Sequence, residues 1–158
     1  RVGAQAGGTV GLLGVFWGCE YVSSTNGEKI YSNKWPGSGA DSLHPIKAFV
    51  YDNPLQLFEI SSDSDLATEA ATRAHVFSNA NFATAQNGST ASGISACKLA
   101  VGTIAATANL NLRIMGIVDD PSSSDFSVAG IGLIVRLNNS FNSANGAIAG
   151  GTVSTTGV

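Results

Sequence analysis

The chain has 158 residues, enough for one compact domain that removes about two-thirds of its unfolded surface from water. Hydrophobic residues make up 44%, which excludes wholesale disorder, and charged residues only 12%, about half the share usual for soluble domains. The net charge is −3 with eight Lys and Arg scattered singly, which excludes the basic stripe of a nucleic-acid binder, and no apolar run is long enough to span a bilayer.

Residues 1–9 are rich in Gly and Ala and read as a flexible N-terminal arm; the first residue is Arg1 rather than Met, and a longer or processed product is expected. The run 14–22 carries Phe16, Trp17 and Tyr21, an Asn26-Gly27 turn follows, and a second run carries Tyr31 and Trp35 before Pro36-Gly37 stops it. That order predicts a β-hairpin with a small aromatic core of its own. A strand is expected over 46–51, then a turn at Asp52-Asn53-Pro54, where the Asx side chains bond the backbone and Pro fixes φ. Another strand is expected over 55–60, with apolar residues on both faces and hence a weakly specified register.

Residues 66–73 carry the one stretch of helical propensity, short enough to be marginal without packing, with Ser64 or Asp65 as the expected cap. Residues 74–77 and 82–85 flank an Asn-rich loop, 86–93 form a turn, and 94–99 a strand. Alternation of Leu110, Leu112 and Ile114 with Asn111, Arg113 and Met115 predicts a half-buried strand over 110–117. After a turn cluster at 119–125, the β-branched run 131–137 is long enough for a central strand. Residues 140–158 are a low-complexity tail of Asn, Ser, Gly, Ala and Thr that could hardly fold alone. Many short strands with almost no helical period predict an all-β protein: a single β-sandwich, jelly-roll-like or barrel domain over residues 10–139, between the arm and the tail.

No catalytic or metal-binding constellation emerges. His44 and His75 lack partners at zinc spacing, and no Gly-x-Ser-x-Gly elbow or Walker loop occurs. Asp63, Asp65 and Glu69 lack the glycine a calcium loop needs at its bend, and Ala129-Gly130-Ile131-Gly132 lacks the third glycine of a dinucleotide fingerprint. Cys19 and Cys97 read as two buried free thiols, with a disulfide between them as the alternative in an oxidising setting. The expectation is therefore a chain without cofactor, metal or active site.

The segments Gly14-Val-Phe-Trp-Gly-Cys-Glu-Tyr21 and Ile30-Tyr-Ser-Asn-Lys-Trp35-Pro36-Gly37 resemble a signature of small head proteins of marine tailed bacteriophages. The resemblance continues through Ala48-Phe-Val-Tyr-Asp52-Asn-Pro54, Phe58-Glu-Ile60, Asn79-Ala-Asn-Phe82, 90–95 and 112–120, and departs from the pattern after Ser140. It implies a capsid decoration, or cement, protein: a non-enzymatic virion component made in the bacterial host cytoplasm. Such a protein binds the outer face of the major capsid protein lattice, with further copies of itself as a homotrimer or homodimer. A charge-poor surface suits this, because it docks without burying charges. Trp17, Tyr31, Trp35 and Pro36 are the candidate interaction residues, aromatics being common interface anchors. The competing reading for Trp17, Tyr31 and Trp35 places them in the hairpin's own core. A phage surface or head-fibre module recognising carbohydrate through exposed aromatics is the alternative function.

Overall fold

The computed structural model describes residues 12–83, 88–89, 92–108, 110–121, 124–138 and 140. The expected arm and the tail beyond Ser140 lie outside them, as does part of the turn expected at 86–93. Eight strands, one short α-helix and a 3-10 turn at Gly37–Gly39 form among the described residues; the strands and α-helix are β1 Val15–Val22, β2 Lys29–Ser32, β3 Lys47–Tyr51, β4 Leu57–Ser61, α1 Glu69–Ala74, β5 Asn79–Phe82, β6 Leu99–Ala105, β7 Leu112–Ile117 and β8 Gly132–Leu137. They build a three-stranded sheet in the order β2-β1-β3 and a five-stranded sheet in the order β4-β8-β7-β5-β6. The all-β expectation holds.

The five-stranded sheet holds the core. Cross-strand partners share a face, and the ladders Phe58↔Val135↔Ile114, Ile60↔Leu133↔Ile117 and Ala80↔Leu112↔Leu137 place apolar side chains on one side. Leu99, Leu112, Ile114, Leu133 and Val135 are almost wholly buried there, with Leu66 and Ile131 from the loops. Five antiparallel strands leave the first and last pointing the same way, so closure has to be parallel. A parallel bridge Ser62↔Leu99 supplies it, braced by Asp63 N–H to Leu99 O at 2.9 Å and Val101 N–H to Asp63 Oδ1 at 2.9 Å. The sheet thus curls around its own apolar face, which corresponds to the barrel among the expected architectures.

The three-stranded sheet stands apart from that core. Of the described residues before β4, only Leu12 packs against it, and Leu12 makes a parallel bridge to Ser140. Ser140 is 1% exposed, so the ordered domain includes the residue at which the sequence places the start of the tail.

Local chemistry explains where elements begin and end. Asn53 Oδ1 accepts the Leu55 N–H at 3.0 Å, which is the expected Asx turn before β4. The expected hairpin forms, but its connection spans residues 23–28, closed by Ser23 N–H to Glu28 O, with Gly27 at φ 69°. The helix starts later than expected because Ala67 adopts a left-handed φ of 63°. Its cap is therefore Thr68, whose Oγ1 accepts the Ala71 N–H at 3.2 Å, rather than Ser64 or Asp65. The expected Asn-rich loop is in fact β5, and the strand expected at 94–99 begins instead at Leu99. In both places side chains distant in sequence complete the pairing: Asn81 N–H donates to Thr103 Oγ1, and Asn79 Nδ2 to Thr107 O.

Candidate interaction surface

A β-bulge in β1 shapes the most distinctive surface. Phe16 pairs with Val50 and Gly18 with Phe49, so Trp17 is an extra residue without a partner of its own. An extra residue shifts the alternation of the strand. Beyond the bulge, Glu20 pairs with Lys47 on one side and Tyr31 on the other, while Cys19 pairs with Ala48 and Ser32 on the opposite face.

The result is two unlike faces. One carries Val15, Trp17, Phe49, Tyr51 and Tyr31, all exposed, with Trp17 at 63% and Tyr31 at 68%. Trp17 meets Phe49 and Tyr51 edge-on, with centroids 6.2 and 6.3 Å apart. The other face is covered by the chain that follows β2. Trp35 stacks edge-on against Phe16 at 6.3 Å, and the buried Cys19 thiol donates to Lys34 O at 3.1 Å.

An ion cluster sits beside the aromatics. Glu20 accepts from Lys29 at 2.9 Å and from Lys47 at 3.4 Å. The Lys29 ammonium, then the Tyr31 hydroxyl, hold the Glu20 carboxyl below its ordinary range, and Lys29 is raised in turn by Glu20. A charge already paired within its own surface costs less to cover than a lone one. Trp17, Phe49 and Tyr51 with a neighbouring compensated ion cluster suit recognition of another surface.

Of the four candidate residues, Trp17 and Tyr31 share this face. Trp35, 36% exposed, belongs to the covered side with half-buried Pro36. The core reading of Trp17 and Tyr31 is therefore corrected: the bulge turns the Trp17 ring outward, and Tyr31, paired with Glu20, lies on the same exposed face. Phe49 and Tyr51 were missed, although their two-residue spacing with Lys47 marks one face of a strand.

The remaining polar candidates have structural roles. The His44 ring bonds Asp41 Oδ2 at 2.9 Å, and the His75 backbone caps α1. Glu69 is taken up by Arg73, and Asp63 holds β6. Asp119 and Asp120 line an open cleft of about 520 Å³ with Met115 and Phe126. Both thiols are free; Cys19 is buried as expected, but Cys97 is only half-buried. Among the described residues no three His, Cys, Asp or Glu side chains converge as metal ligands, and no helix is long and apolar enough to cross a membrane.

Compared with protein-family models, curated proteins and solved structures, the chain matches none.

Proposed function

We propose that this chain is a non-enzymatic docking protein that attaches through the outer face of its three-stranded sheet to a larger protein assembly. The observation that carries this is the exposed aromatic cluster Trp17–Phe49–Tyr51, set on a sheet whose strands contribute no residue to the core cluster or to the apolar side chains packed on it. Large aromatics left in solvent on a two-faced sheet have their energetic use in a partner. The assembly is a bacteriophage head, with the major capsid protein as the surface covered. That choice rests on the resemblance of the segments 14–21 and 30–37, and on the low charge, which lowers the desolvation cost of docking.

The test is the protein content of purified heads. The chain should co-purify with the major capsid protein at a fixed ratio, and Trp17→Ala should lower that ratio at least tenfold. Heads devoid of the chain, with the chain free in the same lysate, would overturn the assignment. A carbohydrate-binding module would instead show Trp17-dependent binding to glycans by the chain alone.

A further inference from the structure

Across the outer wall of the five-stranded sheet, one row of cross-strand partners reads Leu57↔Arg136↔Arg113↔Asn79. Two guanidinium-bearing residues therefore stand directly opposite each other on β7 and β8, an arrangement that destabilises a sheet when nothing compensates it. Both are half-buried, and among the described residues neither is ion-paired. Glu59, on the same face of β4, sits opposite Ile134 and makes no ion pair either.

A second unfavourable feature meets the first. Phe77 is 61% exposed with a left-handed φ of 69°, a conformation costly for a residue with a Cβ. Its N–H bonds Ile114 O at 2.8 Å, and its ring lies 5.9 Å from the Arg113 guanidinium. The ring limits the positions open to Arg113. Two like charges on facing positions of β7 and β8 and a left-handed backbone at Phe77 thus fall on neighbouring positions of one wall.

We infer that Arg113 and Arg136 form an anion-binding site for carboxylate side chains on a partner protein. Guanidinium groups present N–H donors in forks that match carboxylate oxygens, and facing positions on neighbouring strands let both arginines reach one anion, which offsets their like charges. A protein surface, rather than a free anion, is favoured by the exposed apolar shoulders: Leu57 at 49% on one side and Phe77 on the other. Arg beside an aromatic is a common centre of binding energy in protein interfaces. The site lies on the barrel wall and does not depend on the aromatic face of the small sheet.

The experiment titrates the full chain with a triglutamate peptide and, separately, with inorganic phosphate at matched ionic strength, following binding by calorimetry and stability by thermal melting. Triglutamate should bind the native chain and raise its Tm, while Arg113→Gln and Arg136→Gln each weaken binding at least tenfold. Arg73→Gln, an equal charge change elsewhere, should leave binding intact. Without ligand, Arg136→Gln should melt at or above the native temperature, since no like charge then faces Arg113 across the strands. Phe77→Gly, which suits the left-handed backbone, should remain folded and bind several-fold more weakly. Equal triglutamate affinity in native chain and Arg136→Gln, absence of binding included, would overturn the site. So would a lower melting temperature for Arg136→Gln, and phosphate binding as tight as triglutamate would overturn the protein-surface assignment.

Discussion

Trp17 and Tyr51 meet edge-on across β1 and β3, centroids 6.3 Å apart and planes 62° from parallel, although most of the Trp17 ring is in solvent. The contact orients a ring that the domain core does not use. Trp17→Ala should therefore cost no more than about 1.5 kcal/mol of stability, the value of an aromatic pair beyond its burial. Leu133→Ala, deep in the barrel core, should cost about 2–5 kcal/mol. Urea unfolding of both variants checks the contrast, and equal losses would place Trp17 in the core after all.

Gly14 lies so close to β3 that a Cβ there would collide with the Tyr51 carbonyl. Gly14→Ala should therefore push the strands apart and destabilise the protein by about 1–3 kcal/mol. Gly102 in β6 faces open space, so Gly102→Ala should be neutral or stabilising. Denaturant midpoints of the two variants should move in different directions, or one should not move at all.

Acid should weaken the fold through three carboxylates. The Ser127 hydroxyl and N–H lower Asp125, the Leu43 N–H and then the His44 ring lower Asp41, and Lys29 followed by Tyr31 lowers Glu20. Each binds a proton less readily folded than unfolded. Their stabilisation is complete above the ordinary values of 3.8 and 4.5, and is lost as pH falls below them through the depressed values. The melting temperature should fall along that acid limb, and Asp125→Asn should flatten it. An unchanged limb would remove Asp125 from the account.

Burial raises the pKa of both thiols, so neither is a ready thiolate near neutral pH. Alkylation should be slow, with half-buried Cys97 modified before Cys19, which is 1% exposed and bonded to Lys34 O. Peptide mapping over time gives the order. Cys19 reacting first would mean that the segment covering it opens readily.

Elements whose signal is local were legible in the sequence. The β1–β2 hairpin, the Asp52-Asn53-Pro54 turn and the run that becomes β8 follow from aromatic runs, Asx chemistry and β-branched residues. β5 was not legible, because an Asn-rich strand has poor intrinsic propensity and depends on partners such as Thr103, Thr107 and Asn111. The candidate site was half legible. Trp17 and Tyr31 stood out by residue type, whereas Phe49 and Tyr51 joined them only through strand pairing.

By itself, then, the sequence determined an all-β chain poor in charge, because turn chemistry and strand-length apolar runs act over a few neighbouring residues. Only the tertiary structure decided which aromatics face solvent and which arginines stand side by side. Those outcomes depend on register, and register is set by pairing between distant strands. One extra residue at Trp17 is enough to change which face of β1 each later side chain occupies.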